Sequence, residues 1–140
     1  MWAARNNNVE ICEGLLELGD ADPNIAEWTG KTALFIGAED GHEGIVKLLL
    51  ERREVSPDSP DNDGRTPLSL AAWNGHEGVV KLLLEHSEVN PNSPDKNGRT
   101  PLWGAVTSGC EDVVRLLLEC EGVNPDLLDK LGRNSTVLGG

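Results

Sequence analysis

The sequence predicts an all-α solenoid of stacked helix–turn–helix units, each followed by an extended loop that ends in a tight turn. The first observation behind this is an internal period. Gly30-Lys31-Thr32-Ala33-Leu34 returns as Gly64-Arg65-Thr66-Pro67-Leu68 and again as Gly98-Arg99-Thr100-Pro101-Leu102, at steps of 34 residues. Residues 30–63 and 64–97 match at 20 of 34 positions, and 64–97 and 98–131 at 19 of 34. The second observation is that helix starts and stops recur at fixed places in every full unit. The third is composition. Only Trp2, Trp28, Phe35, Trp73 and Trp103 are aromatic among 140 residues, so the interior must be built from Leu, Val, Ile and Ala. The chain reads as one domain, 1–140, with a partial repeat 1–29, full repeats 30–63, 64–97 and 98–131, and a partial repeat 132–140.

The unit 64–97 shows how each element arises. Thr66 before Pro67 starts a helix, because the hydroxyl caps a free N–H and proline suits the first helical position. Leu68, Ala71 and Ala72 fall on one stripe at the helical period. Asn74-Gly75 ends that helix, since glycine accepts the left-handed C-cap. Asn7 fills the glycine place in the first unit. A second helix is expected over about Glu77 to Glu85. Its apolar stripe, Val79, Val80, Leu82, Leu83 and Leu84, is wide enough to pack on a partner helix and on a neighbouring unit. Glu77–Lys81, Glu43–Lys47 and Glu111–Arg115 have the favourable i,i+4 order. The stretch Ser87 to Asn97 contains Pro91 and Pro94 and closes with Asn97-Gly98, so it cannot be helical.

These residues resemble the ankyrin repeat. The resemblance rests on Gly64-Arg65-Thr66-Pro67-Leu68, Ala71-Ala72, Asn74-Gly75-His76, Val79 through Glu85, and the loop Val89-Asn90-Pro91 to Asp95-Lys96-Asn97-Gly98. It covers essentially the whole chain, and the extra residue in the proline-rich loop is similar to units of long fungal ankyrin arrays. Two features depart from the family pattern. Phe35, Ser69 and Trp103 stand where the family usually carries histidine after Thr-Pro-Leu, so the histidine hydrogen bond is absent from each full unit. The last unit reads Asn134-Ser135-Thr136-Val137 and lacks the helix start.

Charge and motifs exclude several functions. Twelve Lys and Arg against 24 Asp and Glu leave a net charge of −12, which argues against nucleic-acid binding. No apolar run reaches the roughly 18–20 residues of a membrane helix. The start of the chain lacks a signal-peptide apolar stretch, and three cysteines do not make a disulfide scaffold. A cytoplasmic, reduced protein is the resulting expectation. Cys110 and Cys120 sit at opposite ends of a helix, about 15 Å apart and too far to bridge. Cys12 takes the Val80 place and reads as core. Asp58, Asp61, Asp63 and Gly64 suggest a calcium loop, but the register puts Leu70 where an EF-hand needs glutamate. No zinc spacing and no phosphate loop is present. No catalytic residue, metal site or cofactor is expected, and the chain reads as a non-enzyme. His42 and His76 recur with the scaffold, with Cys110 at the next equivalent, which marks a structural position.

The candidate working surface is a flank of the first helix of each unit. With Leu68, Ala71 and Ala72 inward, Ser69 and Trp73 lie one turn apart outside the core stripe. Their equivalents are Phe35 and Glu39, then Trp103 and Thr107. The ankyrin resemblance implies that this flank and the loop tips line a concave groove. The candidate partner-binding residues are Trp28, Lys31, Phe35, Arg65, Ser69, Trp73, Arg99 and Trp103; Trp2, at the Leu70 place, reads as scaffold. Trp73 and Trp103 are close enough in the array to pack on each other as well. Seven basic residues on groove and tip positions (Arg5, Lys31, Arg65, Lys96, Arg99, Lys130, Arg133) stand against Glu39, Asp40 and Asp63, and Glu27, Asp61, Asp95 and Asp129 at the turn bases bring the sum to zero. The groove is therefore mixed in charge. The apolar last full unit and the start inside a first helix suggest a stretch of a longer array, of marginal stability. The expected function is binding of another protein through the groove, with no nucleic acid and no membrane involved. The alternative is a spacer that associates with itself end to end.

Overall fold

Each full repeat begins where a threonine hydroxyl closes a helix. In the computed structural model, which describes residues 1–19 and 22–124, Oγ1 of Thr32, Thr66 and Thr100 accepts from the backbone N–H of Phe35, Ser69 and Trp103, each at 3.2 Å. All three threonines are buried. The helices among the described residues are α1 (Trp2–Arg5), α2 (Val9–Glu17), α3 (Ala33–Asp40), α4 (Glu43–Leu50), α5 (Pro67–Trp73), α6 (Glu77–Leu84), α7 (Pro101–Ser108) and α8 (Glu111–Glu119). No strand occurs among these residues. The solenoid of paired helices stands as the repeat predicts.

The odd-numbered helices stack on one another as an inner layer, and the even-numbered helices form an outer layer. Gly41, Gly75 and Gly109 turn the chain between the two helices at φ of 77°, 74° and 76°, and Asn7 does so at 52°. After each turn the His42, His76 and Cys110 position reaches back to the preceding unit. His76 Nε2 meets the Glu39 carbonyl at 2.8 Å, and His42 Nε2 meets that of Arg5 at 3.3 Å. Cys110 Sγ lies 4.0 Å from the carbonyl of Trp73, the next equivalent. The recurring position braces one unit against the next.

The core runs along the seam between the layers. Ile45, Val46, Leu49, Val79, Val80, Leu83, Val113 and Leu117 from the outer helices meet Leu34, Leu68, Leu102, Ala71, Ala72 and Ala105 from the inner ones. Burial of each such Val, Leu or Ile contributes about 1.5–3 kcal/mol relative to exposure. Cys12 lies in the same seam, and burial pushes its thiol up from its ordinary value. That environment suits packing rather than nucleophilic chemistry. None of the three expected i,i+4 pairs is among the ion pairs that the described side chains adopt. Arg115 lies 3.7 Å from Asp112, and the Glu43 carboxylate extends over Gly78 at the start of α6. Exposed pairs of this kind hold little energy against side-chain entropy.

The first unit is less covered than the interior ones. Leu15 occupies the place of Leu49 and Leu83 yet is 47% exposed, and Leu18 is 72% exposed. Trp2 corrects the expectation of a scaffold residue: it is 61% exposed, whereas its equivalents Ile36 and Leu70 are buried. In the interior units the inner helix lies against a preceding inner helix, whereas among the described residues α1 packs only on α2 and α3. The expected partial repeat 132–140 and the tip residues Lys130 and Arg133 lie outside the described residues.

Gly30 shows how closely neighbouring loops approach. It holds φ of 86°, and a Cβ there would stand 2.7 Å from the backbone nitrogen of Asn62. Backbone cannot swing aside as a side chain can, so Gly30→Ala is expected to cost more than about 1 kcal/mol. A lowered urea midpoint with an unchanged m-value would register it.

Candidate partner-binding groove

An aspartate largely withdrawn from solvent organises the loop tips before α5 and α7. Asp61 Oδ1 accepts from the backbone N–H of Asp63 at 3.0 Å and of Arg65 at 2.9 Å. The backbone closes the same turn, with Gly64 N–H donating to the Asp61 carbonyl and Asp61 N–H to that of Arg65. Asp95 repeats this with the N–H groups of Asn97 and Arg99, at 2.8 and 2.9 Å. Successive tips are then stitched together. Asn62 N–H donates to the Thr29 carbonyl and Lys96 N–H to that of Asp63, both at 3.0 Å. Asn62 Nδ2 also donates to the Trp28 carbonyl at 2.8 Å. The tips therefore form one hydrogen-bonded edge along the flank of the inner helices.

The predicted residues do not share one environment. Trp28 is 90% exposed on the tip edge, with its backbone held by Asn62. Phe35 corrects the expectation of a groove anchor: it is fully buried, with Lys31 Nζ 5.6 Å above its ring. Lys31 is in turn drawn to Glu39, 3.0 Å away. Ser69 is half-buried and committed to its own helix: its Oγ accepts from Thr66 N–H and donates to the Thr66 carbonyl. At the near end, Arg5 is paired with Glu27 and holds that carboxyl below the usual carboxylate range.

The structure brings Arg65, Ser69, Trp73, Arg99 and Trp103 together. With Asp95 they line a pocket of about 220 Å³ between α5 and α7. Trp73 and Trp103 stack with centroids 5.6 Å apart and planes 24° from parallel. Trp103 is buried beneath this stack, while Trp73 remains 40% exposed. Such a pair contributes about 0.5–1.5 kcal/mol beyond its buried area. Gly104 makes room for it. A Cβ at that position would lie 3.3 Å from Trp73 Cε3, and the equivalent residues, Ile36 and Leu70, are large.

The two arginines of the pocket are held differently. Arg65 Nε and Nη2 lie 2.9 and 2.7 Å from Asp61 Oδ2, with Asp63 a further 3.5 Å contact. Asp61 raises the pKa of that guanidinium. Arg99 Nε is 3.8 Å from Asp95 Oδ2, beyond hydrogen-bond reach, and its guanidinium lies 5.1 Å over the Trp103 ring. Asn97 stands where Asp63 stands in the preceding tip, so the second carboxylate is missing.

Comparison with known families agrees with this architecture. A family profile described as ankyrin repeats, three copies, matches residues 1–95 and 54–129. The chain belongs to the ankyrin repeat family. Ankyrin repeats are generally protein–protein interaction modules and typically non-enzymatic. No curated protein matches the chain. Among the described residues of this ankyrin array, no three His, Cys, Asp or Glu side chains gather as a metal site, and no helix is long and apolar enough to cross a membrane.

Sequence reasoning missed two residues of the groove. Asp95 reads as a turn residue, and its place in the pocket wall depends on how the tip folds over α7. Gly104 carried a usable signal, being the one small residue in an otherwise large apolar slot opposite Trp73. Gly104→Leu is expected to displace the Trp73 ring. Circular dichroism should then lose the exciton signature of the stacked indoles while the helical signal is retained.

Proposed function

We propose that this ankyrin array is a non-catalytic binding module that holds a segment of another protein in the groove between α5 and α7. The observation that supports the reading is the pocket itself. A half-exposed indole is braced by a second indole beneath it and bordered by an arginine with spare donors. A rigid aromatic loses little entropy when a partner covers it, and Trp and Arg dominate interface energetics for this reason. Trp28, 90% exposed at the tip, extends the contact along the edge. Arg65 and Ser69 shape the wall, with their polar groups already engaged by Asp61 and Thr66, and Lys31, engaged by Glu39 over Phe35, stands on the flank of the preceding unit. Arg99 is the cation that a partner can still satisfy, so the segment carries an acidic side chain beside a large apolar one.

Selection from a random peptide library displayed on phage tests this. The chain is expected to enrich sequences with Asp or Glu next to an apolar residue. Trp73→Ala is expected to weaken the selected peptides about 30-fold, corresponding to about 2 kcal/mol. Arg99→Gln is expected to abolish the acidic preference. Selected peptides that bind both variants as well as the parent chain would place recognition elsewhere.

A second reading draws support from the exposed apolar side chains at the two ends, Trp2, Leu15 and Leu18 on one and Leu118 on the other. Such faces match the surfaces that neighbouring units already bury, so copies of the chain would stack end to end. Sedimentation velocity should then show a mass that rises with concentration; a constant monomer would remove this reading.

A further inference from the structure

A second ladder runs through the outer loops. It uses one repeat position, occupied by Asn24, Asp58 and Asn92 at steps of 34 residues. Asn24 Oδ1 accepts from Ser56 N–H at 2.8 Å, and its Nδ2 donates to the Glu54 carbonyl at 2.5 Å. Asn92 does the same one unit further on from Asp58: Oδ1 accepts from Asn124 N–H at 2.8 Å, and Nδ2 donates to the Gly122 carbonyl at 2.5 Å. Each rung therefore needs one acceptor, for the N–H 32 residues ahead, and one donor, for the carbonyl 30 residues ahead.

Asp58 meets only the first requirement. Its Oδ2 accepts from Asn90 N–H at 2.7 Å. Its Oδ1 is buried and has no hydrogen-bond partner. By register, the carbonyl that this rung should engage is that of Glu88. An ionised carboxylate is acceptor-only and cannot bond a carbonyl, whereas a protonated carboxyl carries one O–H donor and matches the asparagine pattern. We infer that Asp58 occupies an asparagine rung which closes only when its carboxyl is protonated, so that acid tightens the joint between repeats 30–63 and 64–97.

The electrostatic setting supports this direction. Burial pushes the Asp58 carboxyl up from its ordinary value, and this outweighs the opposing Asn90 hydrogen bond. His86, from the loop after α6, is the titratable group that reaches Asp58 across the joint, and in its cationic form it favours the carboxylate. The net result remains upward. A folded-state value above the unfolded one means that the protonated form is favoured by folding. The stabilisation is complete below the unfolded value near 3.9 and is lost as pH rises through the folded one. Near neutral pH the rung is open.

Asp58→Asn restores the missing donor without changing size, and the test compares its thermal midpoint with that of the parent chain between about pH 8 and pH 5, above the sequence pI of 4.5. The variant is expected to melt about 2–4 °C higher at pH 8, with the gap narrowing as pH falls. Asn92→Asp makes the converse change one unit on, and is expected to melt lower at pH 8 and to recover in acid. Carbon-13 titration of the Asp58 carboxyl should show a midpoint above those of the exposed aspartates. A gap that does not change with pH, an Asp58→Asn variant no more stable than the parent at pH 8, or an Asp58 midpoint in the range of the exposed aspartates would each overturn the inference.

Discussion

No single unit of this chain can cover its own apolar surface, and that constraint shapes everything else in the structure. A pair of helices of about eight residues each buries one seam between its members and presents a second to a neighbour. Ile45, Val46 and Leu49 lie on α4, which packs on α6 and α2 as well as on α3 of its own unit, and Val79, Val80 and Leu83 lie on α6, which packs on α4 and α8 as well as on α5. The period of 34 is the register that keeps these seams in line. It also explains why equivalent residues differ at the first unit: Leu15 and Trp2 have the sequence of interior positions and the exposure of an edge. Stability in such an array is close to a sum of unit and interface contributions, so the polar ladders matter through the interfaces they align rather than through their own modest net energies.

The tips follow from the same constraint. Stacking of the inner helices brings successive loops within hydrogen-bond distance, and Asp61 and Asp95 then fold their two loops over the starts of α5 and α7. A carboxylate that accepts two backbone N–H groups is a firm local organiser. The arginine two residues before each Pro67 or Pro101 is thereby aimed at the flank of the inner layer. What it does there is decided by its surroundings. Two carboxylates hold Arg65, while one distant carboxylate and an indole leave Arg99 with donors to spare.

Much of this was legible in the sequence because a repeat supplies its own comparison. The helix starts at Thr32, Thr66 and Thr100, the glycine turns, the order of the helices and the role of the His42 and His76 position all follow from residue chemistry read three times over. Legibility failed where exposure depends on a neighbour. Phe35 and Trp103 share a position with Ser69 and were expected on an open flank, yet their rings turn inward and Lys31 and Arg99 lie over them. Helical spacing assigns a residue to a face but does not say what an adjacent tip will lay across it. Trp2 differs for the opposite reason: its position carries a scaffold residue, and no described helix covers it.

Departures from the period are consequently more informative than the period itself. At most positions a change between units is absorbed, as when Val replaces Ile or Arg replaces Lys. Three departures are not neutral in the structure. Gly104 in a slot otherwise filled by Ile36 and Leu70 lets Trp73 lie on α7 and creates the pocket. Asn97 in place of Asp63 removes a carboxylate from beside an arginine and leaves a cation with spare donors. Asp58 in place of asparagine leaves an oxygen buried and unbonded. The first two concern adjoining residues on the groove, and the third lies on the outer loops of the preceding joint. A scaffold that reuses one solution in every unit exposes its particular features as local violations of that solution, and here those violations gather between residues 58 and 104, around the joints on either side of the unit 64–97.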